Sequence, residues 1–270
     1  MRGIYRLRER EQPGALEKLD PATRGLIFHR VQQRLYEDLQ QKQRLPVTPE
    51  RLNEALAQLE IVLAQVAQEY AEKLVPAIPR VWAAEIEDLR TDLRGWLQFA
   101  ASNDYDWTPT QWEFPIPATD LLDRVKLTGR IDVIEQRGDA LRITDYKTGK
   151  PPESIPHKVG GGKYLQPLLY ALAAGDTNVE SGRLLYATQR GNYTLIEIAL
   201  DNKARQFVAR LLENIDSMIA GGFLPPFPAK DACSICDYRV ACGPYEERRT
   251  QKKDSRDERL DPLVEIRGMA

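Results

Sequence analysis

Two aspartates and a lysine stand where a strand would ordinarily carry valine or isoleucine. In the stretch TGRIDVIEQRGDALRITDYKTGK, from Thr128 to Lys150, Asp132, Asp145 and Lys147 interrupt runs of β-forming residues. Gly138-Asp139 has the form of a two-residue hairpin loop that begins with glycine. With that turn, residues whose numbers total 277 face one another, so Arg137 pairs with Ala140 and Asp132 falls opposite Asp145. Opposed residues share a sheet face, with Cβ atoms about 5 Å apart. Lys147, two positions beyond Asp145, shares that face.

Two carboxylates so placed repel each other, and a divalent hard cation reconciles them, because Mg²⁺ prefers carboxylate and water oxygens. Such an ion polarises a phosphate oxygen and lowers the pKa of a bound water. A lysine beside it orients that water or steadies developing negative charge. The chemistry within reach is metal-assisted hydrolysis of a phosphodiester. Everything depends on register, since a slip of one residue turns the same charges into surface groups of a solvent-facing hairpin.

Two further clusters carry chemistry. Gln166 and Tyr170 are four apart on the segment YLQPLLYALAAG and project from one helical face, either toward a site or into amphipathic packing. The three cysteines, Cys233, Cys236 and Cys242, fall in CSICDYRVAC with the spacing C-x2-C-x5-C. An odd, clustered set is a poor disulfide framework and a better metal site, for zinc or an iron–sulfur cluster. HKVGGGK lacks the Walker spacing and has Tyr164 where that motif needs Ser or Thr. It fits a loop beside the site, with Lys158 and Lys163 near phosphates.

The elements that must position these groups can be read from periodicity and caps. LDPATRGLIFHRVQQRLYEDLQ predicts a helix with Leu26, Ile27, Val31 and Leu35 on its apolar face and His29 on a neighbouring stripe. VTPERLNEALAQ opens a long helix with Thr48 as N-cap and Pro49 at the first position. A third helix is expected over Arg80 to Ala101. TQWEFPIPA, LTGRIDVIEQ and ALRITDYKT then read as strands. A helix closed by Gly175 follows, then a second hairpin, GRLLYATQ and YTLIEIAL, around Arg190-Gly191-Asn192. Asp201 caps a last long helix, and the tail after Pro244 is charge-rich up to Leu260. Helices alternating with mixed strands make an α/β protein.

With the elements in this order, Gly129-Arg130-Ile131-Asp132, then Asp145-Tyr146-Lys147-Thr148-Gly149, then Gln166-Pro167-Leu168-Leu169-Tyr170 resemble the PD-(D/E)XK nuclease superfamily. The resemblance is to its RecB-like branch, which includes AddB-type nuclease domains and CRISPR-associated RecB-like exonucleases, and it runs from about Leu19 to Pro244. It implies a restriction-endonuclease-like core, a central mixed β-sheet flanked by helices, with an N-terminal helical region and a C-terminal cysteine-containing segment. The boundaries expected are 1–110 for the helical part with the histidine helix, 111–228 for the nuclease core, 229–245 for the cysteine cluster and 246–270 for the tail, all one nuclease domain.

By the same resemblance, Asp132, Asp145, the backbone carbonyl of Tyr146 and His29 are ligands of Mg²⁺ or Mn²⁺. Lys147 is the catalytic lysine, Gln166 and Tyr170 border the active site, and Lys150 joins Lys158 and Lys163 at the DNA. The activity implied is a deoxyribonuclease, an exonuclease of DNA repair or recombination, working beside a helicase subunit. The alternative is a non-catalytic DNA-binding or scaffolding subunit of a helicase–nuclease complex. Cys233, Cys236 and Cys242 resemble the C-terminal triad of a [4Fe-4S] cluster whose fourth cysteine lies near the N-terminus. No cysteine stands there in this sequence, so either the chain is N-terminally truncated, the favoured expectation, or the fourth ligand is not a cysteine or is absent; zinc is the second reading of the metal.

Composition sets outer limits. The chain has 270 residues, 42% hydrophobic, with 38 basic against 40 acidic side chains and a formal net charge of −2. The chain can bury a core of ordinary size, and the charge balance argues against indiscriminate polyanion binding through the whole-molecule field, while a local basic groove stays open. No apolar run has the length of a membrane span and the N-terminus lacks a signal-peptide segment, so the expectation is a cytoplasmic protein with no membrane partner.

Overall fold

A computed structural model describes residues 18–121, 125–152, 162, 164–175, 178–226, 228, 232–243, 245, 248–249 and 257–269. The backbone divides into two compact units. One comprises Met1–Trp112, Tyr146–Pro151 and Leu185–Thr194, the other Glu113–Asp145, Pro152–Leu184 and Leu195–Ala270.

Three mutually packed helices dominate the first unit: α1 (Pro21–Gln41), α2 (Leu52–Leu74) and α3 (Pro79–Asn103). Helix α1 starts where Asp20 supplies an N-cap, its carboxylate accepting from the backbone N–H groups of Ala22 at 2.9 Å and Thr23 at 3.0 Å. Its buried stripe is Ile27, Phe28, Val31, Leu35 and Leu39. Leu26, expected on that stripe, is 62% exposed, and Phe28 is buried in the core instead. A step of about 100° per residue separates Leu26 from the Ile27–Val31–Leu35 line, so the true stripe extends toward Phe28.

Thr48 precedes a short 3-10 turn, Pro49–Arg51, rather than opening α2 directly, and it makes no side-chain cap bond to the backbone. Its hydroxyl bonds instead to the carboxylate of Glu50, which that bond holds below its usual pKa. Pro49 removes one backbone donor and the neighbouring acid captures the hydroxyl. The expected threonine cap is therefore corrected.

The sheet contains β1 (Thr108–Leu121), β2 (Val125–Arg137), β3 (Ala140–Lys147), β4 (Val179–Tyr186) and β5 (Thr194–Ala199), side by side in that order. Strands β2 and β3 are antiparallel, with Val133 facing Thr144 and Arg137 facing Ala140, the register set by a turn at Gly138-Asp139. Gly138 has φ 59°, the left-handed value such a tight loop needs and a side chain resists. Along β3 and β4 the chain runs the same way: Leu141 N–H donates to Asn178 at one end, and Ala187 N–H to Lys147 at the other. The five-stranded sheet is mixed and flanked by helices, an α/β fold as expected.

Within the second unit, α4 (Gln166–Ala173) packs on β2, and α5 (Asn202–Ala220) starts at Asp201, whose carboxylate accepts from Ala204 N–H at 2.6 Å. A Cβ on Gly182 would lie 2.2 Å from the Pro167 carbonyl oxygen, so glycine in β4 is what allows the start of α4 so close. The short helix α6 (Arg239–Cys242) closes the cysteine segment. Beyond Leu260 the charged tail is a helix, α7 (Asp261–Gly268), joined to α5 by Glu265, which accepts from Arg210 at 2.6 and 3.0 Å and from Asn214 at 3.0 Å.

One face of the sheet buries charge. Arg142 forms a two-pronged pair with Glu135 at 2.9 Å on each side, Thr144 donates to the same carboxylate at 2.6 Å, and Arg183 approaches it at 3.3 Å. All of these residues are at most 4% exposed. Arg183 also donates to the Thr144 hydroxyl oxygen at 2.7 Å, which closes the network.

Candidate functional site

Asp145 lies near the end of β3 and is 3% exposed, so its charge depends on designed partners. Gln166, in the first turn of α4, donates from Nε2 to Asp145 Oδ1 at 2.6 Å. The packing of α4 against β2 and the glycine at 182 bring that amide within reach. Tyr170, one turn later, lies over β2: a Cβ on Gly129 would come within 2.9 Å of its hydroxyl oxygen. Gln166 and Tyr170 are both half-buried, so the helix face they share is neither core nor open surface.

Asp132 occupies the position on β2 one step beyond the Val133–Thr144 pair, and its number and that of Asp145 total the 277 that holds along the ladder. It is half-buried, as is Glu113 of β1, and their carboxylate oxygens come within 4.8 Å of each other. Glu113 has no counterpart in the residues read from sequence. Its φ of 49° is left-handed inside a strand, and its carboxylate accepts from Arg130 Nη1 at 3.1 Å. The string TQWEFPIPA shows only a strand with one acid in it; the neighbour that makes that acid notable lies on another strand.

This oxygen pair fits a hard cation. Two oxygens on one Mg²⁺, each at about 2.1 Å, lie at most about 4.2 Å apart, so a pair inside 4.8 Å is on the scale of a shared ion.

The first unit holds the remaining members of the β3 motif. Tyr146 is 5% exposed, and its side chain lies among the helices, its hydroxyl 2.9 Å from that of Tyr36 and its ring edge-on to Trp96 at 5.9 Å. His29, half-buried on α1, has its ring centroid 6.5 Å from that of Tyr146 and 6.2 Å from that of Phe28. Lys147 is half-buried and follows Asp145 by two positions on one strand, so alternation turns both to the same face. Lys150 is exposed just past the strand. Lys158 and Lys163 lie outside the described residues.

The cysteine segment consists of a 3-10 turn, Ala232–Ile235, followed by α6. Cys233 is buried, Cys236 exposed and Cys242 half-buried, and all are free of disulfides. Among the described residues, the three thiols do not gather with ligand atoms within 4.8 Å of one another. Tetrahedral zinc, with Zn–S near 2.3 Å, would hold them about 3.8 Å apart. The arrangement does not fit a single zinc ion.

A mixed five-stranded sheet flanked by helices is the architecture of the restriction-endonuclease-like fold. A family model described as the PD-(D/E)XK nuclease superfamily matches residues 1–243, and the chain belongs to that superfamily. Nucleases of this superfamily are of the kind that uses divalent metals such as Mg²⁺. Among curated proteins the chain is 29% identical over 141 residues to the Gene 69 protein of Mycobacterium phage L5, covering 48% of this chain and 46% of that protein. It is 28% identical over 156 residues to the Gene 69 protein of Mycobacterium phage D29, covering 50% of this chain and 52% of that one. The chain spans about half the length of these curated relatives. Among the described residues, no helix is long and apolar enough to cross a membrane.

Proposed function

We propose that the protein is a Mg²⁺- or Mn²⁺-dependent deoxyribonuclease of the RecB-like branch, acting as an exonuclease in DNA repair or recombination. The observation that carries the reading is Asp145, a buried carboxylate gripped by Gln166 at 2.6 Å on the strand that bears Lys147 two positions later. A structural carboxylate has no need of a lysine and a glutamine in the order that the RecB-like branch uses for catalysis.

In this reading His29, Asp132, Asp145 and the backbone carbonyl of Tyr146 hold the metal, which supplies Lewis-acid polarisation of the scissile phosphate. Gln166 keeps the Asp145 carboxylate in one orientation, as an outer partner of a ligand does. Lys147 orients the attacking water or neutralises charge that develops on the phosphate oxygens. Tyr170, beside Gly129, and Lys150 contact the DNA, together with Lys158 and Lys163. The cysteine spacing supports a [4Fe-4S] cluster completed by a ligand not found in this sequence, with no part in the hydrolysis. Service beside a helicase subunit follows from the same branch by analogy, and a cytoplasmic location is proposed with it.

The test uses fluorescent single- and double-stranded DNA with and without Mn²⁺. Wild-type protein is expected to cleave only with metal, and Asp132→Ala and Lys147→Ala to abolish cleavage while circular dichroism stays unchanged. Binding without metal-dependent cleavage in the wild type would instead establish a scaffolding subunit.

A further inference from the structure

Glu113 belongs to none of the motifs that carry the nuclease reading, yet the fold makes an exception to present it. A left-handed φ inside a strand is unfavourable for any residue with a Cβ, and glycine or asparagine is the usual occupant. Strands retain other residues there only where the surroundings over-determine the conformation. Here the result is a carboxylate oxygen within 4.8 Å of an Asp132 oxygen, across from β2.

The geometry points to Glu113 as an additional ligand of the catalytic metal, with Arg130 as the cation that holds its place before the metal arrives. This rests on the nuclease reading above. Arg130 precedes Asp132 by two positions on β2, so both face the same side of the sheet. Its guanidinium lies 3.1 Å from Glu113 Oε2, and its side chain is 65% exposed against 22% for that of Glu113. An ion pair that open to water is weak and salt-screened. A divalent ion, with twice the charge and a preference for carboxylate oxygen, displaces it.

The displaced guanidinium then has a new use. A planar fork on an exposed side chain, next to a loaded metal, suits bidentate capture of a phosphate oxygen pair. One arginine therefore serves two states: counter-ion to Glu113 in the metal-free protein, phosphate clamp in the loaded one. Metal loading and DNA binding are coupled through it, since each relieves the other of competition for the same group.

The experiment measures Mn²⁺ binding by the electron paramagnetic resonance signal of the free ion, on the full chain and without DNA. The proteins are wild type, Glu113→Gln, Arg130→Gln and, as reference, Asp132→Asn. Glu113→Gln is expected to weaken Mn²⁺ binding at least tenfold, the scale on which even outer partners of ligands act. Arg130→Gln is expected to tighten it about two- to fivefold, the worth of a surface ion pair, while weakening DNA binding in the presence of Ca²⁺. If Glu113→Gln does not fold, Glu113→Asn, which tolerates the left-handed backbone, replaces it.

Wild-type affinity in Glu113→Gln, with Asp132→Asn weakened, overturns the inference and leaves the nuclease reading standing. Unchanged or weaker Mn²⁺ binding in Arg130→Gln overturns the place-holder role. No Mn²⁺ binding by the wild type removes the nuclease reading itself.

Discussion

The hydroxyl of Tyr36 meets that of Tyr146 at 2.9 Å, both tyrosines at most 5% exposed, with Trp96 edge-on to each ring. Tyr146 is the residue between Asp145 and Lys147. Its side chain is anchored within the first unit by that contact.

Removing one partner of a buried hydrogen bond costs about 1–3 kcal/mol through the desolvated group left behind, whereas removing both costs less than the sum. Tyr36→Phe and Tyr146→Phe should each destabilise the protein by about that amount, and the double variant by clearly less than the two together. Urea unfolding of the four proteins measures the cycle, and strict additivity would show that the hydroxyls do not interact.

The Glu135 carboxylate is shared by Arg142, Thr144 and Arg183 in the dry part of the sheet. Glu135→Ala should cost about 3–5 kcal/mol, because it removes the carboxylate that two buried guanidinium groups share. Thr144→Val should cost about 1–2 kcal/mol, through the lost hydroxyl bonds alone. Thermal unfolding ranks the two, and an Ala variant as stable as the wild type would contradict the network.

Gln166→Ala keeps the fold of α4 but frees Asp145 from its 2.6 Å amide partner. Metal-supported cleavage should fall about 10- to 100-fold, with weaker metal affinity, as for other residues that orient a ligand. A Gln166→Ala enzyme of full activity at limiting Mn²⁺ would leave the glutamine with packing alone.

Gly95 makes room for Tyr193: a Cβ there would lie 1.8 Å from the tyrosine hydroxyl oxygen. Gly95→Ala should destabilise by about 1–3 kcal/mol, as overpacking does, and much less in a Tyr193→Ala background. Burial first, and the Asp92 carboxylate second, push the Tyr193 phenol above its ordinary pKa of 10.0. A group raised in the folded state contributes stability that is fully present below pH 10 and is lost as pH rises through the folded value. Wild-type stability should therefore fall more steeply above pH 10 than that of Tyr193→Phe, as alkaline denaturation curves will report.

Much of the architecture was legible because its signals are local. Gly138-Asp139 dictates the β2–β3 register through backbone stereochemistry confined to the turn, and Asp201 starts α5 by bonding a backbone donor a few residues away. Leu26, Thr48 and the tail were not so legible. Leu26 faces outward and Phe28 inward because packing partners on α3 choose the buried stripe. Thr48 loses its hydroxyl to Glu50, a competition between two local bonds that the sequence poses but does not decide. Helix α7 depends on Glu265 finding Arg210 and Asn214, more than fifty positions earlier.

What the amino-acid order determined by itself is the family pattern: Asp132 before the turn, Asp145, Tyr146 and Lys147 after it, and Gln166 and Tyr170 one turn apart on the next helix. Alternation in a strand and the period of a helix convert those spacings into shared faces without reference to the rest of the chain. Only the tertiary structure set Glu113 beside Asp132 and laid the Gln166 amide on Asp145. Those relations depend on how strands order themselves in the sheet and on how closely α4 approaches it. Both are decided by side-chain volume across many positions, and no short stretch of sequence holds that information.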